Sequence, residues 1–142
     1  MAEQATPSEP RESGPPRPSR AQAFRETLFE LIRLDGVRGG LIVTPDGLVI
    51  TSELPPRFPV EALAALAATL GRELELGASR LERGAFRTAL FAADDGTVFV
   101  GGSPVGYLTL VADRNVNAET VRVALGRAVD QLRGTWRTAG AA

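Results

Sequence analysis

Residues 60–74, VEALAALAATLGREL, constrain this chain more than any other stretch. Val60, Leu63, Leu66, Leu70 and Leu74 recur at helical spacing and mark one apolar face. Ala62, Ala64, Ala65, Ala67 and Ala68 then leave almost no polar face over roughly the first two and a half turns. A helix apolar nearly all round is covered on more than one side. Even three leucines left in water would forfeit ~1.5–3 kcal/mol each, against a total of ~5–15 kcal/mol for a small domain. The cover must come from the rest of the chain, a second copy or a different protein. With two other helices in the sequence, a cover from outside is the preferred reading.

The segments around this helix alternate between two periods. Phe24, Leu28, Leu31 and Ile32 form the apolar stripe of a first helix that begins near Ala21 and ends at Gly36. Gly39 to Thr44 and Leu48 to Thr51 are β-prone, and Pro45-Asp46-Gly47 between them is the chemistry of a tight hairpin. Pro59 stands at the start of the second helix, which is expected over Val60 to about Leu74. Three strands follow: Ala85 to Ala93, Thr97 to Val100 and Tyr107 to Ala112, the first two joined by Asp94-Asp95-Gly96. The last is apolar on both faces, which suggests a central place in the sheet. Asn117 is the expected N-cap of a third helix from Ala118 to Leu132 or a little beyond, with Val121, Leu125, Ala128, Leu132 and Trp136 on its stripe. The order is helix, strand, strand, helix, strand, strand, strand, helix, an α+β layer architecture with antiparallel pairing inside each strand group.

Residues 1–20 stand apart. Five of the ten prolines fall there, and after Met1 no large apolar side chain occurs before Phe24. Such a segment is expected to be a disordered Pro-rich tail, followed by one domain over 21–135 and a frayed end over 136–142. Pro15-Pro16-Arg17-Pro18 could serve as a polyproline II ligand, although an extended tail without a dedicated partner is the simpler reading.

Composition removes whole classes of function. The chain contains no lysine, no histidine and no cysteine, and its formal net charge is -1. There is accordingly no Walker A lysine, no Schiff base, no Ser-His-Asp triad, no thiol nucleophile and no ordinary zinc site. The charge balance argues against nucleic acid, and no apolar run reaches the ~20 residues that span a bilayer. No signal sequence is recognisable, so the cytoplasm is the expected location. That every basic residue is arginine reads as compositional bias more than as a set of anion sites. The glycine cluster Gly101 to Gly106 lies between strands, where a phosphate loop precedes a helix, and reads as a turn. Asp94 and Asp95 read as turn residues more than as a metal or acid–base pair. Asp113, Asn115 and Asn117 faintly echo a calcium loop, but position twelve is Ala124, not glutamate. No cofactor or metal is expected.

The element order, the Pro-Asp-Gly hairpin after Val43, the Ala/Leu-rich second helix and the run Tyr107 to Asp113 followed by Asn117 together resemble the roadblock, or dynein light-chain, family. The resemblance spans residues 21 to 134, with one departure: Ala118 and Glu119 stand where the family often has glycine after the cap asparagine. It implies a profilin/roadblock-like, five-stranded antiparallel sheet with the second helix on one face and the other two on the opposite face. It also implies a homodimer joined through the strand Ala85 to Ala93 with the second helices side by side. Leu63, Leu66, Ala67, Leu70, Phe86, Thr88 and Leu90 then become the expected dimer interface. The family is not catalytic; it supplies platforms for Ras-like small GTPases or for motor and signalling assemblies, and its bacterial members include a gliding-motility regulator that promotes GTP hydrolysis. Arg72 and Glu73 are tentative partner-binding residues on this view, with no catalytic arginine assigned. Two alternatives remain: a sensor module enclosing a small metabolite between sheet and helix, and, ranked last, an enzyme using carboxylates alone.

Overall fold

The computed structural model describes residues 19–140, with side chains from 19 to 134. The segment 1–18, the Trp136 side chain and residues 141–142, on which the expected tail and part of the expected frayed end fall, lie outside the described residues. The elements run α1 (Arg20–Ile32), β1 (Val37–Val43), β2 (Val49–Glu53), α2 (Val60–Arg80), β3 (Thr88–Ala93), β4 (Gly96–Ser103), β5 (Gly106–Ala112) and α3 (Ala118–Gly140), in the order read from the sequence. The sheet has five antiparallel strands in the order β2-β1-β5-β4-β3, which places β5 at the centre and β2 and β3 at the edges.

Strand alternation sorts the apolar residues into two cores. Ile42, Phe99, Leu108 and Leu110 point to one face, where Phe24, Leu28 and Leu31 of α1 meet Val121, Leu125 and Leu132 of α3. Leu41, Val43, Val100 and Tyr107 point to the other, under Leu63, Ala64, Ala67 and Ala68 of α2. One helix on one face and two on the other is the arrangement that the resemblance implied.

Local chemistry sets the boundaries. Ser19 caps α1 by accepting from the Gln22 amide at 3.1 Å, and Asn117 caps α3 by accepting from the Thr120 amide at 3.1 Å. In the β1–β2 hairpin, Gly47 takes φ 92, a left-handed conformation that glycine adopts without a Cβ penalty. Thr44 closes that turn, its amide donating to the Leu48 carbonyl at 2.8 Å and its hydroxyl accepting from the Leu48 amide at 3.0 Å.

Several boundaries differ from the sequence reading: α1 ends at Ile32, before Gly36, and β3 begins at Thr88 instead of Ala85, so that Phe86 precedes the strand. Helix α2 runs to Arg80 instead of about Leu74, because Gly77 lies within it and Leu74 and Ala78 still pack on the sheet side. Helix α3 continues past Gly134 to Gly140. The first part of the glycine cluster is strand, not turn. A Cβ on Gly101 would lie 2.8 Å from Val129 Cγ2 and 3.0 Å from Leu125 Cδ1, so the bare backbone is what lets α3 sit down on β4.

The same device seats α2. A Cβ on Gly71 would fall 2.4–2.5 Å from atoms of the Tyr107 ring, well inside contact distance. Gly71→Ala is therefore expected to destabilise the fold by roughly 1–3 kcal/mol from overpacking, despite alanine's better helix propensity. A urea titration that shows unchanged or increased stability would refute this seating of the helix.

Candidate functional site

Strand β3, TALFAA, is an edge that no described element covers on its outer side. Its backbone polarity follows from the hairpin. Ala93 and Gly96 flank the two-residue turn, so they are expected to form a hydrogen-bonded pair, and bonding to β4 then alternates along the strand. The Gly102 amide donates to the Arg87 carbonyl at 2.9 Å, which fixes the same parity at the other end. Ala89, Phe91 and Ala93 consequently bond β4, and the N–H and C=O groups of Thr88, Leu90 and Ala92 point outward. The strand has no charge, no proline and no bulge, the usual devices that keep an edge from pairing with another chain. The opposite edge is different. Strand β2 is short, has a register shift where it pairs with β1, and ends on Glu53.

Apolar side chains crowd both faces of the open edge. Leu90, opposite Phe99, lies on the α3 side, and Phe91, opposite Val98, lies on the α2 side. Leu90 is 40% and Phe91 41% exposed. On α2, one flank faces the β1–β2 hairpin, where Ala65, Thr69 and Arg72 line a cavity of about 220 Å³ with Asp46, Gly47 and Val49. At 100° per residue, Leu66 and Leu70 fall on the other flank. Leu66 is 46% exposed and Leu70 half-buried. The second helix thus covers one of its sides with its own chain and leaves the rest in solvent.

The seven residues expected at a dimer interface divide on these grounds. Leu63, Ala67 and Phe86 are buried in the chain's own core, and Phe86 is further held by its amide donating to Glu75 Oε1 at 3.2 Å. Leu66 and Leu90 are exposed, and Leu70 and Thr88 are half-buried. Phe91 was not among the seven; its signal was that two consecutive large apolar residues on one strand must occupy opposite faces. Arg72 donates to the Pro45 carbonyl and so leans toward the hairpin, away from Leu66 and Leu70. Glu73 is exposed on the Leu66 side.

Among the described residues, Arg38, Arg87 and Arg122 hold carboxylates elsewhere. Arg38 grips Asp113 through two hydrogen bonds of 2.9 and 2.7 Å, and Arg87 grips Asp130 at 2.7 and 3.1 Å, tying α3 to the start of β3. Arg122 pairs with Glu119 at 2.6 Å. Each arginine's hydrogen bonds hold its partner's carboxyl below the ordinary carboxylate range. Burial raises the Tyr107 phenol, with Glu75 adding to that and Arg72 opposing it. Among the described residues, no group of three or more His, Cys, Asp or Glu is placed to hold a metal ion.

A three-layer α+β domain of this topology, with one unprotected sheet edge, is the class that the fold defines. The Roadblock/LC7 domain model matches residues 24–111, and the chain belongs to that family. It is 30% identical over 106 residues to the uncharacterized Methanocaldococcus jannaschii protein MJ0714, covering 75% of this chain and 90% of that one. A Roadblock/LC7 domain from Streptomyces avermitilis superposes with a TM-score of 0.68 at 20% identity, covering 78% of this chain and 95% of that one. The gliding protein MglB from Thermus thermophilus superposes with a TM-score of 0.61 at 21% identity, covering 80% and 93%.

The ion pairs have a pH signature. A carboxylate whose folded pKa is depressed adds stability above its unfolded value, ~3.9 for aspartate, and that contribution is lost as pH falls through the folded value. Thermal stability should therefore decline as pH drops below about 4. The Asp113→Asn, Asp130→Asn double variant should lose less over that interval than the parent. Parallel melting-temperature curves for the two proteins would show that the pairs contribute nothing.

Proposed function

We propose that this chain is a non-catalytic, cytoplasmic scaffold that forms a homodimer and, as a dimer, binds and regulates a Ras-like small GTPase or a related signalling or motility assembly. The observation that carries the reading is the unprotected β3 edge beside the exposed flank of α2. Antiparallel self-pairing centred on Leu90 would set Leu90 opposite its counterpart and Thr88 opposite Ala92. All the outward backbone groups of those three residues would then be bonded. Ala89 would meet Phe91 on the α2 face, a small residue against a large one, and the Leu66 and Leu70 flanks would close over them. Registers shifted either way bring Asp94 or Arg87 into the pairing and leave outward groups unbonded. Burying what remains exposed of Leu66, Leu90 and Phe91 adds on the order of 3 kcal/mol, on top of the backbone bonds.

Leu63, Ala67 and Phe86 serve this interface from beneath by fixing α2 and the start of β3. Arg72 and Glu73 lie on different sides of the α2 surface, where a GTPase partner would rest. Support for a GTPase comes from the family, whose fold the gliding protein MglB shares. The missing lysine, histidine and cysteine favour a platform over an enzyme.

Light scattering at micromolar concentration should return twice the mass of one chain. Leu90→Arg combined with Phe91→Asp should yield a folded monomer; a single-chain mass for the parent protein would sink the dimer. Co-purification with small GTPases encoded beside this gene, loaded with GDP or with a GTP analogue, tests the partner. No capture in either nucleotide state would rule out that role.

A further inference from the structure

Strand β3 carries opposite charges at its two ends. Just before it, residues 80–87 hold Arg80, Glu82, Arg83 and Arg87, three bases against one acid. Just after it, Asp94 and Asp95 make the two-residue turn into β4. Between these ends the strand itself, TALFAA, is uncharged. Arg87 is already held by Asp130. Among the described residues, no ion pair or side-chain hydrogen bond engages Arg80, Arg83, Asp94 or Asp95, and all four are exposed. The acidic turn borders an open hollow of about 430 Å³ lined by Ala93 to Val98, so no described part of the chain shields its carboxylates.

The backbone that carries Arg83 is anchored. At the end of α2 the Arg83 amide donates to the Ala78 carbonyl at 2.9 Å, and the Glu82 amide donates to the Ser79 carbonyl at 3.0 Å. Glu82 takes φ 55, the left-handed conformation that glycine usually supplies at such a helix end. Arg83 is therefore held beside the entrance to β3 and does not hang on a free tether. Its position relative to the strand is set before any partner arrives.

The antiparallel self-pairing centred on Leu90 brings these two ends together, and the inference rests on that pairing. With Thr88 opposite Ala92 of the second copy, Ala93 falls opposite Arg87 and the Asp94–Asp95 turn comes level with residues 85 and 86. Arg83 of the second copy is then two to three residues away, at most ~7–10 Å of extended chain, a gap that an arginine and an aspartate reaching toward each other can close. The two-fold axis repeats the arrangement at the other end. We infer that Asp94 and Asp95 of each copy clasp Arg83 of the other, and that the two clasps set the direction of pairing and select a like chain as the partner. Glu82 offsets part of the attraction, while Arg80 keeps that end basic. An uncharged open edge accepts a strand in either direction and from any source. Parallel pairing of β3 with itself would set the acidic turns side by side and the arginines side by side, where like charges repel. A foreign strand without a base before it and an acid after it gains neither clasp.

Two charge-reversed chains test the clasp. Asp94→Arg/Asp95→Arg sets arginine against Arg83 at both ends of its homodimer, and Arg80→Glu/Arg83→Glu sets glutamate against aspartate. None of the four side chains is buried and neither aspartate has a positive φ, so the substitutions leave the fold intact, which circular dichroism checks. Light scattering over a concentration series should show each homodimer weakened about tenfold or more. Mixed one to one, the two chains should form the heterodimer well in excess of random pairing, because both ends of the mixed pair then oppose unlike charges. Native mass spectrometry reads that ratio, and high salt should return it toward random. The milder Asp94→Asn/Asp95→Asn keeps the turn chemistry and should weaken the homodimer by a smaller factor. A dimeric parent whose reversed chains pair at random, or whose asparagine variant dimerises as tightly as the parent, overturns the clasp and leaves the Leu90-centred dimer standing. A parent that is a single chain in solution overturns the dimer and the clasp with it.

Discussion

The close approach of α2 to the middle of the sheet is the contact on which the other features rest. Gly71 lets the helix lie against the Tyr107 ring, and Ala64, Ala67 and Ala68 keep the rest of that surface equally flat. A helix held this near the strands brings its Leu66 and Leu70 flank down toward the side chains of the β3 edge. Raised by one larger residue at position 71, the same helix would stand off the sheet, and the flank and the edge would no longer form one surface. The alanine content that looks like a surplus of small residues is the requirement of this seat.

The two edges of the sheet have been treated differently by the sequence. At β2 a register shift, a short strand and Glu53 interrupt the backbone ladder. At β3 nothing does: six residues without charge or proline present three outward amides and three outward carbonyls. Long, flat, apolar edges are an aggregation hazard unless something occupies them. With the proposed pairing on β3, the blunted edge on β2 would leave a sheet that extends in one direction only, which would favour closed pairs over open chains of molecules.

Charge follows the same division. Where arginine meets carboxylate in bidentate geometry, as in Arg38–Asp113 and Arg87–Asp130, the pair ties a helix or strand end to its neighbour. These exposed pairs add little to stability individually. Arg25 and Arg33 are left without such partners beside an exposed phenylalanine, and Arg72 satisfies itself on the Pro45 carbonyl of the hairpin. The distinction among chemically identical side chains comes from what the fold brings within reach, since nothing in the local sequence separates them.

Local chemistry was enough to determine the order of elements, the two hairpins, the cap at Asn117, the start of α2 just after Pro59, the central place of β5 and the lack of any lysine, histidine or cysteine for catalysis to use. These are properties of short windows: spacing of apolar residues, turn-forming triplets and the residue types present. The family pattern could be read because it is itself a pattern of turns and periods. What only the tertiary structure decided is which apolar residues are left over. Leu63 and Leu66 are three apart on one helix, and Phe86 and Leu90 four apart around one strand start, yet Leu63 and Phe86 are buried while Leu66 and Leu90 remain open. That outcome depends on where β5 passes under α2 and on the parity that the β3–β4 hairpin imposes. Both are set by pairing between residues far apart in the chain, which no local period encodes.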